Sequence, residues 1–160
     1  PCSLRVFSSS SRHGRELEKR GFNFKYLELT FHKLDKKVIM LDTDMGLRNL
    51  DLVMGIEDKV NYNILDILNR SCRIRQAIIR NKSNPNLYVI PAAPSMDTLC
   101  SYEARFKILI EELKASFDYC LIDSPAGIDS GFWFSASPAD RAIRSYHTCM
   151  YLAYTMQGDA

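Results

Sequence analysis

The chain has 160 residues, of which 46% are hydrophobic and 25% charged, with 21 basic and 19 acidic residues and a formal net charge of +2. This composition is typical of one soluble globular domain, and the even charge balance argues against a nucleic-acid binder and against a strongly acidic partner. No apolar run approaches the length of a membrane span. Five dispersed cysteines without a C-x-x-C pair favour free thiols in a reducing compartment.

Three parts of the chain differ in character. Residues 1–26 are rich in Ser and Arg and have little apolar periodicity. Residues 27–143 alternate between strand and helix patterns, whereas residues 144–160 show neither a clear period nor helix caps. We therefore expect residues 27–143 to form the folded domain and the two ends to be aberrant segments.

The domain begins with a strand. Val38 to Leu41 form a short continuous apolar run, which is typical of a strand buried on both faces. Two short helical stripes follow, with apolar residues Ile64, Leu65, Ile67 and Leu68 in the first and Ile74, Ala77 and Ile78 in the second. The segment Asn86 to Ala92 is typical of a strand that a proline ends.

The second half contains the clearest helix pattern. From Ser101, the expected N-cap, to Ser116, apolar residues recur at i, i+3, i+4 and i+7, namely Phe106, Leu109, Ile110 and Leu113. A strand over Tyr119 to Ile122 then ends in Asp123, and residues 139–143 (ADRAI) start a further strand. Strands separated by helices predict an α/β fold with a doubly wound, mostly parallel sheet and helices on both faces.

Three aspartates fall at the ends of two of these strands. Asp42 and Asp44 follow the first strand, and Asp123 ends the later one. Ligands of such sheets bind at the carboxyl ends of the strands, where one carboxylate can hold the water shell of Mg²⁺ and another can orient a water that attacks a phosphate. In an extended Asp-x-Asp both side chains point the same way, so either Asp42 or Asp44 suits the second role. The alternative is that each aspartate caps the backbone of a turn.

Five stretches carry a family resemblance, in order and spacing: KKVIMLDTDMGLRNLDLVMG, NYNILDIL, CRIRQAIIR, NLYVIPAA and FDYCLIDSPAGIDSGF...ADRAI. Over about residues 27–143 they resemble the MinD group of septum site-determining ATPases within the ParA/MinD P-loop family. The stretch DTDMGLRNLD separates this group from plasmid-partition relatives, which usually have Pro and Gln after the second aspartate. Flagellar-number relatives tend to have LAN where this sequence has LRN.

The resemblance implies the P-loop NTPase fold, in incomplete form, with ATP and Mg²⁺ as cofactors. It implies that Asp44 positions the attacking water and that Asp123 holds Mg²⁺ through water. The residues so implied are Asp44 and Asp42 for catalysis, Asp123, Ser124, Gly127 and Gly46 for nucleotide binding, and Arg48 and Asn49 for the dimer and partner surface.

The resemblance also implies partners and a location. Family members form ATP-dependent homodimers and bind a division inhibitor, MinC, and an activator of hydrolysis, MinE. They are cytoplasmic proteins that lie peripherally on the inner membrane, and a bacterial and a plastid source both remain open. No nucleic-acid partner is expected.

Three family features are missing from the sequence: the phosphate loop GKGGVGKT, a later segment that contacts adenine, and a C-terminal amphipathic membrane helix. The loop is expected over Ser8 to Arg20. Back-translated and shifted by one base, residues 8–15 can read Val-Val-Ala-Ala-Gly-Met-Gly-Gly, close to the family's Val-Val-Thr-Ser-Gly-Lys-Gly-Gly. Residues 144–149 can similarly read Val-Val-Thr-Thr-Pro. Our hypothesis is that both ends are frameshifted, and the coding DNA would test it.

Three functions therefore remain open. The chain is a MinD-type ATPase, or a fragment of one, in division-septum placement; or an inactive fragment or interaction module that keeps the surface around Arg48 and Asn49; or a ParA-type or flagellar-number ATPase, which LRN disfavours. Enzymatic activity is left undecided, and we expect no ATP binding without the phosphate loop.

Two expectations concern stability and charge. The family's first strand lies in the middle of the sheet, so if its sequence is altered, strands such as Val38 to Leu41 lose ladder partners, and the chain is expected to be marginally stable or prone to aggregation. A basic stretch is expected to be a solvated helix face rather than a nucleic-acid contact, and its residues are Arg70, Arg73, Arg75, Arg80 and Lys82.

Overall fold

A computed structural model describes residues 3–9, 35–44, 49–93, 100–125, 129–145 and 151–155. At residues 3–9, 49, 52, 53, 142–145 and 151–155 only the backbone is described. The strands are β1 (Ser3–Ser9), β2 (Val38–Asp42), β3 (Ile79–Arg80), β4 (Leu87–Ile90), β5 (Tyr119–Ser124), β6 (Arg141–Ser145) and β7 (Tyr151–Thr155). The helices are α1 (Asn49–Met54), α2 (Ile64–Leu68), α3 (Ile74–Ala77), α4 (Glu103–Lys114) and α5 (Ser130–Ala136), with a 3₁₀ turn over Glu57–Lys59.

The described strands form one mixed sheet in the order β3-β4-β2-β5-β1-β6-β7. The four inner pairings are parallel: β4 with β2, β2 with β5, β5 with β1 and β1 with β6. Among the described strands, only the outer strands β3 and β7 pair antiparallel. The prediction of a mostly parallel α/β sheet is therefore confirmed.

Helices cover both faces of the sheet because the strand residues alternate between two cores. One face, packed by α2, α4 and α5, carries Ile39, Leu41, Ile90, Cys120 and Ile122. The other, packed by α1, carries Val38, Met40, Leu87, Val89 and Leu121. All ten side chains are buried, as expected of strands covered on both sides.

The helix over residues 101–116 forms as the periodicity predicts, and all four residues of its apolar stripe are buried. The expected cap at Ser101 is wrong: α4 begins at Glu103, and its N-cap is Tyr102, which makes no side-chain cap bond. By contrast, Asn63 accepts from the amides of Leu65 and Asp66 and starts α2. Position before an apolar stripe does not by itself select the cap.

The structure corrects the expectation about strand partners. Strand β1 lies between β5 and β6, and β2 lies between β4 and β5, so β1 is not a neighbour of β2. The prediction that Val38 to Leu41 would lose ladder partners is therefore wrong. Strands also form over residues 3–9 and 151–155, in the two end segments for which the sequence showed no clear period.

Candidate functional site

The carboxyl ends of β2 and β5 bring two of the predicted aspartates side by side. Asp42 and Asp123 are paired across the parallel ladder, and Phe7 of β1 is the next residue in the same row. Neighbouring strands lie about 4.8 Å apart, so the two carboxyl groups belong to one site. Asp123 lies within β5, one residue before the strand ends, and is 8% exposed.

Asp42 is fully buried at the end of β2. Its Oδ1 accepts a hydrogen bond from the amide of Asp44 at 2.9 Å, whereas its Oδ2 has no partner among the described residues. Burial, and then the nearby negative charges of Asp44 and Asp51, raise the pKa of Asp42 to about 7, although the amides of Asp44 and Leu50 favour the charged form. Near neutral pH this carboxyl group therefore exists in both protonation states.

The hydrogen bond from the Asp44 amide to the Asp42 carboxylate also constrains the backbone directly after β2. Strand β2 ends at Asp42, and a carboxylate that accepts from the amide two residues later closes a turn. The extended Asp-x-Asp geometry expected from the sequence therefore stops at Asp42. The capping alternative holds for Asp42, whose side chain fixes the backbone of Asp44.

Asp51 is a site residue that the sequence reasoning missed. It lies in the first turn of α1, is 8% exposed, and its buried Oδ1 has no partner among the described residues. Its charge raises the pKa of Asp42, so the end of β2 faces the start of α1. The available signal was a single acidic residue among the apolar residues of the helix segment LDLVM.

Thr43 links the ends of β2 and β5 to α5. Its amide and its hydroxyl both donate to the carbonyl oxygen of Asp123, at 2.9 Å and 2.6 Å. The Thr43 Oγ1 also lies 2.8 Å from the Ser135 Oγ, which donates to the carbonyl of Gly131 at 2.9 Å. Since all these groups are buried, the two aspartate-bearing strand ends and the helix after DSPAG form one connected unit.

The remaining predicted site residues are only partly placed. Asp44 is 8% exposed beside Asp42, and Ser124 ends β5 and is buried. Asn49 begins α1, but its side chain is not described. The predictions for Gly46, Arg48 and Gly127 lie outside the described residues.

The described carboxylates at this end of the sheet suit a hard cation that keeps most of its own water ligands. Among the described residues, no group of three or more His, Cys, Asp and Glu side chains could enclose an ion. Mg²⁺, however, keeps most of its waters and needs one or two carboxylates together with phosphate oxygens. Asp123, at the edge where ligands of such sheets bind, fits that requirement.

Comparisons with known proteins agree with this geometry. Residues 25–143 match the AAA_31 family, described as an AAA domain. Over 111 residues the chain is 42% identical to the septum site-determining protein MinD of Bacillus subtilis. The aligned region covers 69% of this chain and 41% of that protein. The chain therefore spans less than half the length of the curated relatives it matches.

Solved structures give the same result. The MinC:MinD cell division protein complex of Aquifex aeolicus matches with a TM-score of 0.70 and 32% identity, over 89% of this chain and 55% of that one. MinD of Pyrococcus horikoshii complexed with Mg-ADP matches with a TM-score of 0.68 and 25% identity, over 88% and 57%. The chain belongs to the AAA_31 family and is a homologue of the septum site-determining protein MinD.

Proposed function

We propose that this chain is the switch-bearing part of a MinD-type ATPase that acts in division-site placement. The observation that carries the proposal is that Asp42 and Asp123 are paired at the carboxyl ends of β2 and β5. The hydrogen bond from the Thr43 hydroxyl to the Asp123 carbonyl joins these two strand ends. A nucleotide site of this kind needs one carboxylate for Mg²⁺ and one for water at adjacent strand ends. The similarity to MinD over the same residues supports this interpretation.

In this proposal the three aspartates have different roles. Asp44 orients the water that attacks the γ-phosphate, and Asp123 holds Mg²⁺ through its water shell. Asp42 acts through its hydrogen bond to the Asp44 amide and is a positioning residue, since a buried carboxyl with a pKa of about 7 is not permanently charged. Ser124, Gly127 and Gly46 would add nucleotide contacts, as the resemblance implies.

The proposed partners follow from the relatives. A MinD homologue has been solved in complex with MinC, which supports MinC as a partner of this chain. An ATP-dependent homodimer, the activator MinE and a membrane surface are proposed from the family resemblance, with Arg48 and Asn49 on the dimer and partner surface. None of the described helices is both long enough and apolar enough to cross a membrane.

A second candidate is a module that binds partners without binding ATP. The phosphate-loop motif GKGGVGKT does not occur in the sequence, and its two lysines have no equivalent over Ser8 to Arg20. Lysine charges and loop amides provide much of the binding of the β- and γ-phosphates. This module would keep the partner-binding surface beside α1 but would neither bind nor hydrolyse ATP.

Titration of the purified chain with a fluorescent ATP analogue, with and without Mg²⁺, distinguishes the two functions. The ATPase proposal requires Mg²⁺-dependent binding that Asp123→Asn weakens and that Asp58→Asn, an exposed carboxylate in the 3₁₀ turn, does not. Absence of binding by a chain that unfolds cooperatively would overturn the ATPase proposal for this chain. Retained MinC binding in that case would establish the module.

A further inference from the structure

A second concave site lies at the end of the sheet opposite the aspartates. It is a groove of about 1040 Å³ between α2, α3, α4 and the residues that precede β2 and β5. Lys37 and Phe117 lie just before those two strands, so the groove opens where the parallel strands begin, whereas Asp42 and Asp123 lie where they end. The groove is therefore separate from the candidate nucleotide site.

The rim of this basic groove is strongly cationic. Six basic side chains line it, and Glu112 is the single acidic side chain among the described residues that line it. None of the six forms an ion pair with a described residue, and all are exposed. These residues are Lys37, Arg70, Arg73, Arg75, Arg80 and Arg105. The even net charge of the chain argued against an acidic partner, but the fold concentrates positive charge here.

The floor of the groove is apolar and aromatic. Lys37 Nζ lies 4.9 Å from the ring centroid of Phe117 and 5.6 Å from that of Tyr88. Leu109 and Ile78 also line the floor, and Ile108 is 59% exposed at its edge. An apolar floor beneath a charged rim matches a ligand with both an apolar and an anionic side.

The cations on the rim come from distant parts of the chain, and hydrogen bonds hold two of them in place. Arg105 of α4 donates from Nη1 to the carbonyl of Leu68 at 2.9 Å, and Arg80 donates from Nε to the carbonyl of Pro85 at 2.7 Å. Arg70, two residues after α2, has a φ of 63°, a left-handed conformation that favours glycine. The sequence analysis predicted that the basic stretch around Arg70 to Lys82 is a solvated helix face. It did not predict that Lys37 and Arg105 lie beside this stretch in the fold.

We propose that the basic groove binds an acidic amphipathic segment of a partner protein. Carboxylates of that segment would pair with the arginines of the rim while its apolar side chains cover Ile108 and the floor, so charge complementarity identifies the occupant. A free phosphate would leave the apolar floor uncovered. A flat bilayer surface would not reach into a concave site.

The test uses the whole chain and a labelled helical peptide with glutamates on one face and leucines on the other. Fluorescence anisotropy compares Arg73→Glu with Lys82→Glu, which makes the same charge change outside the groove lining. Reversing one rim charge should weaken binding about fivefold at low salt. Ile108→Ser should weaken binding without lowering the melting temperature, because the side chain is exposed.

Three outcomes overturn the proposal. The first is equal weakening by Arg73→Glu and Lys82→Glu, which would indicate a general charge effect. The second is full displacement of the peptide by inorganic phosphate together with no effect of Ile108→Ser, which would indicate an anion site. The third is binding to phosphatidylglycerol vesicles in preference to the peptide. Binding of the amphipathic peptide, but not of a scrambled peptide of the same composition, supports the proposal.

Discussion

Replacing Asp42 by Asn tests whether a buried carboxyl group at the end of β2 titrates near neutral pH. Its pKa rises from 3.8 to about 7 on folding, first because of burial and then because of the charges of Asp44 and Asp51. Between these values the native state keeps a proton that the unfolded chain has released. Stability therefore falls as the pH rises through this window and is constant above it, as far as this group is concerned.

The size of the effect follows from the same values. A rise from 3.8 to about 7 is about three pKa units, which corresponds to about 4 kcal/mol at 1.36 kcal/mol per unit. In Asp42→Asn an amide nitrogen takes the place of Oδ2, which has no partner among the described residues. Since a buried unpaired amide costs about 1–3 kcal/mol, we expect the variant to be about 2 kcal/mol more stable at about pH 8.

The assay is urea unfolding of the parent and the variant between about pH 4 and about pH 8. With an m-value of about 2 kcal/mol/M, the gain at high pH is a midpoint shift of about 1 M. Asp51→Asn should lower the upper limit of this window, and with it the total change in stability, because it removes one charge that raises the pKa of Asp42 in the folded state. The exposed control Asp58→Asn should have little effect. A stability difference between Asp42→Asn and the parent that is the same at both ends of the pH range would refute the reasoning.

Three further predictions concern stability and are measured by the same unfolding assay. Thr43→Val should destabilise the fold by about 1 kcal/mol because it removes the buried hydroxyl that donates to the Asp123 carbonyl and contacts the Ser135 hydroxyl, and Thr43→Ser should restore most of this. Arg70→Gly should stabilise the fold by about 1 kcal/mol because φ is 63°, and an unchanged or lower stability would contradict this. Phe106→Ala should destabilise by about 3–5 kcal/mol, since the ring is fully buried and stacks on Phe134 at 4.5 Å, whereas Ile108→Ala on the exposed side should change little.

The inner strands and the long helix could be predicted from the sequence because their signals are local. Val38 to Leu41 form an uninterrupted apolar run, and the four buried residues of α4 repeat at helical spacing. The carboxyl-end rule then placed Asp42 and Asp123 at one edge, which the ladder register confirms. Each of these inferences needs only the period of the elements and the direction of the strands.

The contacts between elements could not be predicted in the same way. Thr43 meets Ser135 across 92 residues of sequence, and nothing in either local pattern indicates the other. The contribution of Asp51 to the pKa of Asp42 depends on how α1 packs against the end of β2. The basic groove likewise requires Lys37 and Arg105 to approach a stretch that lies at least 25 residues away from either in sequence. Such features follow from tertiary packing rather than from periodicity.

The position of β1 suggests an experiment that tests whether a phosphate loop placed after this strand would restore nucleotide binding. Ser8 pairs with Ser124 and the strand ends at Ser9, so the chain after β1 leaves the sheet at the edge that carries Asp42 and Asp123. The frameshift hypothesis places the loop in this same stretch, with residues 8 and 9 corresponding to the Val-Val that precedes it. A variant in which residues 8–19 read VVTSGKGGVGKT should therefore bind Mg-ATP if the proposed function is correct, because loop amides and lysines would face Asp123, the carboxylate proposed to hold Mg²⁺. Adding Asp123→Asn to that variant should weaken binding about tenfold, and adding Asp58→Asn should not. If the grafted chain folds cooperatively and still binds no nucleotide, the strand ends are not arranged as a nucleotide site.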